Sequence, residues 1–335
     1  MNDIITVRAL SVGVTEDAAM LRDFLARHAL GFEADIDAAF GVFDEDEVLR
    51  GCGCAAGSLL KCFAVDKSLR GQNALGALVS LLVQDRFAKG CYDLRVITRA
   101  HNEPLFAACG FYPVVRTNEL VLLENRPDGP RRFAQSFFRR GDEDKIVGAI
   151  VMNANPFTLG HRALVEYAAA RCDVLHLFVV EEDRSLFPTD VRFRLVQEGT
   201  ADLANVRVHL SGQYMISSAT FPTYFIKDKD RIPEIRCGLD LEIFSSCFAP
   251  ALHITRRFVG TEPLSPVTDA YNRQLMAFLP GRGVEVTLIP RKEQDGAPIS
   301  ASRVRALLAE GRVEETRALV PATTFAYLQS HFPQK

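Results

Sequence analysis

The sequence predicts an α/β protein whose C-terminal half is a doubly wound parallel sheet, preceded by a smaller α/β unit. From residue 145 onward, short apolar runs alternate with segments of helical periodicity, which is the pattern of repeated strand–helix–strand units. A stretch rich in proline, glycine and charge separates this half from the first. We therefore expect a first domain over residues 1–125, a linker over 126–144 and a second domain over 145–335.

Length and composition favour a soluble globular protein of two domains. The chain has 335 residues, of which 48% are hydrophobic and 24% charged, and this suits two globular domains. A net charge of -3 argues against an extended nucleic-acid footprint. The N-terminus lacks a signal-peptide pattern, and no apolar run approaches the ~20 residues of a membrane-spanning helix. We expect a cytoplasmic protein with no membrane partner.

The eight cysteines do not suggest a metal centre. None of them forms a CxxC pair or lies at zinc-ligand spacing from a histidine. The sequence therefore predicts reduced thiols and no metal bound directly by side chains.

In the first half, helical spacing predicts helices over 17–28 and 77–88, and β-branched apolar runs predict strands over 42–50, 59–65 and 92–98. A short helix should follow and end at Gly110. In the second half, strands are expected over 146–152, 174–180, 206–209, 254–259 and 284–289, with helices over 190–202, 239–248 and 267–279 between them. Ligands of such sheets bind at the carboxyl ends of the strands.

The turn after the first strand of the second half carries the first candidate site. Residues 153–161, NANPFTLGH, leave a buried strand, break its pairing at Pro156 and open a helix at Gly160 and His161. Such a junction directs backbone N–H groups at one spot, which suits a phosphate. An imidazole at His161 can donate to an oxygen that gains charge as the α–β phosphate bond breaks. The alternative is a chance match, with His161 satisfied at a helix start.

A second motif, ISASRVR, occupies residues 299–305 and opens a predicted helix over 302–308. Ser300 is a candidate N-cap, and Arg305, one turn into the helix, can bind phosphate oxygens with both arms of its guanidinium. An ordinary capped helix with a solvated arginine would also explain this motif alone. Both motifs in this order, each at a helix N-terminus, favour a single nucleotide site.

The first motif resembles the phosphate loop of the HxGH nucleotidyltransferases, with Thr158 where that pattern usually has its first histidine. This resemblance implies a Rossmann-like second domain that binds ATP, with Thr158, His161 and Arg305 as catalytic residues. The ATP-binding residues that it implies are Asn153, Ala154, Asn155, Pro156, Gly160, Arg192, Gly260, Thr261, Glu262, Ile299, Ser300 and Ser302. A surface helix position would equally explain Arg192, and a simple turn would explain 260–262.

The first domain resembles the acetyltransferase (GNAT-like) fold through the segments VDKSLRGQ and ACGFYPV. In that fold, the loop after the central strand grips the pyrophosphate of coenzyme A. Asn73 and Leu75 occupy the two small-residue positions of the loop, and side chains there would crowd the backbone nest for pyrophosphate. A docking role for this domain is therefore a better hypothesis than acetyl-CoA catalysis.

Segments along nearly the whole chain, among them VVEEDRSLFPTDVRFRLVQEGTADLANV and RFVGTEPLSPVTDAYN, are similar to the citrate lyase ligases. That family implies ATP-dependent acetylation, through acetyl-adenylate, of the thiol on the acyl-carrier subunit of citrate lyase. The implied substrates are ATP, acetate and the coenzyme A-like arm of the carrier, with magnesium as cofactor. Two alternatives stay open: a plain nucleotidyltransferase acting on a phosphorylated small molecule, and a non-catalytic nucleotide-sensing regulator.

Overall fold

The computed structural model describes residues 5–69, 71–181, 185–215, 221–261, 266–294 and 296–332. The chain forms two compact units. The first contains residues 1–129 and 222–235, and the second contains 130–221 and 236–335. The two units are therefore not separated at a single point in the sequence, because residues 222–235 belong to the first unit.

The first unit is a mixed sheet with helices. Its elements are β1 (Thr6–Leu10), α1 (Thr15–Arg27), β2 (Ala38–Phe43), β3 (Leu49–Ala56), β4 (Leu59–Val65), α2 (Ala74–Ala88), β5 (Arg95–Arg99), α3 (Glu103–Ala107), β6 (Tyr112–Arg116) and β7 (Leu120–Glu124). The strand order is β1-β2-β3-β4-β5-β7-β6, and only the β4–β5 pair is parallel among the described strands. This mixed sheet agrees with the acetyltransferase-like fold expected for the N-terminal half.

The prediction of one strand over 42–50 is wrong, because a turn divides that stretch. The Asp44 carboxylate accepts the backbone N–H of Asp46 at 3.1 Å and of Val48 at 2.9 Å. These bonds replace ladder bonds, so β2 ends before the acidic residues and β3 begins after them.

The parallel pair β4–β5 is short. Its register joins only Leu59 to Arg95 and Leu60 to Val96.

The segment 222–235, in which the chain returns to this unit, is held by two backbone carbonyls. The Gly31 N–H donates to the Tyr224 carbonyl at 2.8 Å, and Arg99 Nη2 donates to the Phe225 carbonyl at 2.6 Å. Two buried residues from a distant part of the chain, Tyr224 and Phe225, therefore belong to this unit.

The second unit is built on a parallel sheet. Its elements are α4 (Gly129–Gln135), β8 (Val147–Met152), α5 (Leu159–Ala169), β9 (Val174–Val179), α6 (Thr189–Gly199), β10 (Val206–Leu210), α7 (Ile232–Ile243, which begins in the first unit), a π-helical turn (Phe244–Phe248), α8 (Ala249–Leu252), β11 (Ile254–Gly260), α9 (Pro266–Phe278), β12 (Glu285–Ile289), the hairpin β13 (Glu293–Gln294) and β14 (Ala297–Pro298), α10 (Ala301–Ala309) and α11 (Ala322–His331).

The strand order β10-β9-β8-β11-β12 is parallel throughout, which confirms the predicted doubly wound sheet. The order reverses between β8 and β11, and ligands of open α/β sheets bind at such a switch point. None of the described helices is both long and apolar enough to cross a membrane.

The segment expected as a linker belongs partly to the core of the second unit. Phe133 and Phe137 lie four residues apart, and their rings contact each other at 5.0 Å between centroids. The centroid of the Phe137 ring also lies 4.2 Å from that of the His209 ring. The buried Asp142 carboxylate forms ion pairs with Arg207 and Lys145. The charged composition of 126–144 concealed this pair of aromatic residues at helical spacing.

Candidate active site

A cleft opens at the carboxyl ends of β8, β11 and β12, where the strand order reverses. Its volume is about 720 Å³. The expected site residues that line it are Asn153, Ala154, Asn155, Thr158, Gly160, His161, Gly260, Ile299, Ser300, Ser302 and Arg305. Residues from both sequence motifs, about 140 positions apart, thus share one cleft. The other large cavity of this unit, about 740 Å³, lies beside Val174 and Val206, where β9 and β10 begin.

Thr158 caps helix α5 and fixes the imidazole of His161. The Thr158 hydroxyl accepts the His161 backbone N–H at 3.3 Å. In return, the Thr158 backbone N–H donates to Nδ1 of His161 at 3.1 Å, and the hydroxyl lies 2.9 Å from the same nitrogen. This reciprocal pair is a capping box in which histidine replaces the usual acidic or amide side chain.

The capping box also determines which nitrogen of His161 carries the proton. Because Nδ1 accepts the Thr158 N–H, the proton of the neutral ring is on Nε2. Burial, with a smaller effect of the Arg291 charge, lowers the pKa of His161 from 6.5 to about 4. His161 is therefore neutral at physiological pH, and Nε2–H is its hydrogen-bond donor.

Gly160 brings the two motifs into contact. A Cβ atom at this position would lie 2.8 Å from the carbonyl oxygen of Ile299, which is too close for any side chain. The sequence interpretation of a glycine at a phosphate loop missed this reason, because Ile299 is far away along the chain. The close approach places the start of α10 beside the start of α5.

Helix α10 begins with a capped turn. Ser300 accepts the Arg303 backbone N–H at 3.1 Å and is the N-cap, as the sequence predicts. Arg305 donates through Nη1 to the Asn155 carbonyl at 2.6 Å and through Nη2 to the Ser302 hydroxyl at 3.2 Å. Burial lowers the pKa of its guanidinium below the ordinary value. Arg305 thus joins the turn after β8 to α10 while it lines the cleft.

The electrostatics of the cleft suit a polyphosphate. Its lining includes four basic side chains, Arg257, Arg291, Lys292 and Arg305, and no acidic one among the described residues. The N-termini of α5 and α10 add the positive ends of two helix dipoles. The two sequence motifs do not include Arg257, Arg291 or Lys292. A basic pair directly after the last strand of a parallel sheet was the available signal for Arg291 and Lys292.

Three of the expected site residues, Arg192, Pro156 and Thr261, do not line the cleft. Arg192 is fully buried, and its guanidinium donates to the carbonyls of Asn153 at 2.8 Å, Val180 at 2.7 Å and Phe187 at 3.0 Å. Neither interpretation from the sequence, phosphate contact or surface position, describes this residue, which holds the ends of β8 and β9 together. Pro156 is buried and is not among the residues that line the cleft.

Thr261 also acts through a neighbour. Its hydroxyl accepts the Arg291 backbone N–H at 3.1 Å, and its carbonyl accepts from Arg291 Nε at 2.9 Å. Thr261 therefore positions a basic residue of the cleft. Glu262, the remaining expected ATP-binding residue, lies outside the described residues.

Comparisons with known proteins identify relatives over nearly the full length. The profile of a family described as citrate lyase ligase C-terminal domain matches residues 147–328. A [citrate [pro-3S]-lyase] ligase from Klebsiella pneumoniae is 41% identical over 310 residues, which cover 91% of this chain and 90% of the relative. Proteins of the same name from Escherichia coli and Haemophilus influenzae are 39% and 40% identical, and they cover 98% and 93% of this chain and 94% and 95% of the relatives.

Proposed function

The chain belongs to the citrate lyase ligase family, and we propose that it activates citrate lyase by acetylating the thiol of the acyl-carrier subunit at the expense of ATP. The products besides the thioester are AMP and diphosphate. One observation supports the chemistry: two helix N-termini and four basic side chains converge on one cleft that has no acidic side chain among its described residues.

In the first step, an acetate oxygen attacks the α-phosphorus of ATP in line. The bond from that phosphorus to the bridging oxygen breaks, and its electron pair leaves with diphosphate. Nε2–H of His161, the guanidinium of Arg305 and the N–H groups at the two helix starts are the donors for the charge that develops on the phosphate oxygens. The contribution of the protein is positioning and electrostatic stabilisation.

In the second step, the carrier thiolate attacks the carbonyl carbon of acetyl-adenylate. A carbon–sulfur bond forms, the bond from the carbonyl carbon to the phosphate oxygen breaks, and AMP leaves with the electron pair. The thiol proton is lost to solvent as the thiolate forms. His161 is a weak acceptor for this proton, because its Nδ1 already accepts the Thr158 backbone N–H and burial lowers the pKa of its imidazole to about 4.

Magnesium fits this cleft as a companion of ATP. The described lining offers amide, hydroxyl and carbonyl oxygens from Asn153, Asn155, Thr158 and Ser300 but no carboxylate. Mg²⁺ retains several waters and binds readily to substrate phosphates, so it would enter with the triphosphate. Its charge would offset that of the phosphate oxygens.

For the first unit we propose a docking role for the coenzyme A-like arm of the carrier. Its cavity beside the short β4–β5 pair has a volume of about 270 Å³ and is lined by residues of both strands, including Phe63 and Thr98. The aromatic residues Tyr224 and Phe225 also line this cavity. An arm bound there would therefore contact the returning segment as well as the sheet.

Acetate-dependent exchange of labelled diphosphate into ATP tests the first step directly. We expect exchange with acetate and magnesium alone, before any carrier is added. A requirement for a phosphorylated second substrate would indicate a plain nucleotidyltransferase, and ATP binding without any turnover would indicate a nucleotide sensor. Addition of the carrier subunit should then yield an acetyl adduct on its prosthetic thiol, which intact-mass measurement detects.

A further inference from the structure

Two cavities of the first unit meet at a group of basic side chains. One is the cavity of about 270 Å³ beside β4 and β5, and the other, of about 530 Å³, lies at the turn between β6 and β7. Four residues line both of them: Arg99, His101, Phe225 and Lys227. All lining residues of the two cavities belong to the first unit. The three basic members of this shared wall, Arg99, His101 and Lys227, form what we call the basic junction.

The smaller cavity suits a neutral, extended chain. It begins where the β4–β5 pairing ends, because Phe63 and Thr98 follow the paired residues of the two strands. The Phe63 ring contacts the Phe106 ring at 5.2 Å between centroids, and the Thr98 hydroxyl accepts from Asn102 Nδ2 at 2.9 Å. Apart from the basic junction, no arginine, lysine or carboxylate of the described residues lines it. Aromatic rings beside a hydroxyl and an amide suit a stem of methylene and amide groups.

The basic junction is not neutralised by carboxylates. Arg99 is half-buried, and its guanidinium makes one hydrogen bond within the described part of the chain, from Nη2 to the Phe225 carbonyl at 2.6 Å. Among the described residues, no member of the junction has an acidic partner. The larger cavity contains two carboxylates, but Glu119 is ion-paired with an arginine at 2.6 Å and Asp228 caps a short 3₁₀-helix. Donors of Arg99 and Lys227 therefore remain for an anion.

The start of α2 is occupied by a side chain. In the acetyltransferase-like fold, the loop at this helix start binds the pyrophosphate of coenzyme A. Here the Asn73 side chain lies against the first turn, so close that a Cβ on Gly76 would clash with it. An arm whose stem lies in the smaller cavity therefore needs another cationic group for its phosphates, and the basic junction lines that cavity.

We propose that Arg99, His101 and Lys227 bind the phosphate groups of the coenzyme A-like arm, whose neutral stem lies in the smaller cavity. This rests on the docking role proposed for the first unit and assigns its phosphate site. The Phe225 carbonyl already orients the Arg99 guanidinium, so little of its conformational freedom is lost on binding, and Lys227 adds a second charge. Lys227 and Phe225 belong to segment 222–235, so a bound arm contacts both this segment and the sheet.

Coenzyme A and pantetheine are the probes, because they share the neutral stem and differ in the phosphates. Calorimetry with the full chain, in the presence of a non-hydrolysable ATP analogue, measures binding outside the cleft of the second unit. We expect Lys227→Gln to raise the Kd for coenzyme A by roughly 3–10-fold, the scale of one hydrogen bond to a charged group at a partly exposed site. The Kd for pantetheine should be the same in Lys227→Gln and the wild type.

Lys229→Gln is the matched control. Lys229 is an exposed lysine two positions further on, and it lines neither cavity. This variant should bind coenzyme A with the wild-type Kd. Arg99→Lys is a second test, because it keeps the charge but loses the planar guanidinium, and it should raise the same Kd by roughly 10-fold. Lys227→Gln, at an exposed position, decides the matter if Arg99→Lys lacks a cooperative melting transition.

Transfer of acetyl to the carrier tests the arm as the occupant. Lys227→Gln should raise the KM for the carrier by a similar factor with a smaller change in kcat, whereas Lys229→Gln should leave this KM unchanged. A weaker affinity for coenzyme A together with an unchanged KM for the carrier would show that the site binds a free nucleotide, and would overturn the arm as its ligand.

The outcomes separate this inference from the proposed function. Absence of acetate-dependent exchange in the wild-type protein would refute the adenylation reaction, which coenzyme A binding does not measure. Equal Kd values for coenzyme A in Lys227→Gln and Lys229→Gln would overturn the phosphate site, and so would the absence of coenzyme A binding by the wild type. A change of this Kd in Asn73→Ala alone would place the phosphates at the start of α2 instead.

Discussion

Two strand–loop–helix junctions in this protein, at the starts of α5 and α2, differ in whether the N-terminus of the helix is open to an anion. At the start of α5, the capping interactions of Thr158 and His161 leave Nε2–H of the imidazole to serve the cleft. At the start of α2, Asn73 has a left-handed backbone with φ of 55°, and its side-chain oxygen lies where it would clash with a Cβ on Gly76. The Asn73 amide therefore lies against the first turn of α2, where an anion would approach.

An anion site needs basic groups and an open approach in addition to a helix N-terminus. At α5, a second helix start and four basic side chains face the same cleft, and a glycine permits the close approach. At α2, a side chain occupies the first turn of the helix. The junction at α5 is thus the candidate for catalysis, whereas the Asn73 side chain fills the corresponding position at α2.

The largest expected difference comes from His161→Ala. Removal of one preorganised donor should lower the rate of acetate-dependent diphosphate exchange by roughly 10²–10³-fold. Asn73→Ala in the first unit is the matched control and should leave the exchange rate unchanged. Near-normal exchange in folded His161→Ala would eliminate this residue from the mechanism.

Arg305→Lys should have the next largest effect. A lysine cannot keep the bonds to both Asn155 and Ser302 while it serves a phosphate, so the KM for ATP should rise by roughly 10-fold or more. Arg303→Lys, two positions earlier on the same helix, provides the control, and steady-state kinetics with varied ATP is the measurement. Identical ATP dependence in the two variants would indicate that Arg305 has only a structural role.

Two glycine substitutions compare the junctions by their packing. Gly160→Ala places a methyl group 2.8 Å from a backbone oxygen and should cost about 1–3 kcal/mol of folding free energy. In Gly76→Ala, the clashing atom is the end of the Asn73 side chain, which can rotate away. Thermal melts should therefore show a clear loss for Gly160→Ala and a smaller one for Gly76→Ala. The reverse order would contradict this account of the two loops.

The last expected effect is a dependence of stability on pH. Burial is the main cause that lowers the pKa of His161 and His176 to about 4 and of His209 to about 3. Unfolded histidines, with an ordinary pKa near 6.5, bind protons that the folded chain does not, so stability should fall as pH decreases from about 6.5 to about 4. The melting temperature of His209→Gln should fall less over this range. An equal fall in the wild type and the variant would show that His209 does not contribute.

Much of the second unit could be predicted from the sequence because its signals are local. The strand before residue 153, the helix after it and the cap at Ser300 each depend on a few consecutive residues. The motif order also predicted that His161 and Arg305 would share one site. The helix α11 and the core position of Phe133 and Phe137 were missed, since their burial depends on residues that are distant in sequence.

The sequence by itself determined the fold class, the family and the residue types at the two helix starts, because periodicity, caps and motifs are written in consecutive positions. Only the tertiary structure decided that Arg192 supports strand ends, that Gly160 is needed for its contact with Ile299, and that Arg257 lines the cleft. Each of these depends on which atoms surround a side chain. Neighbours in a folded protein come from separate segments, and no local pattern specifies them.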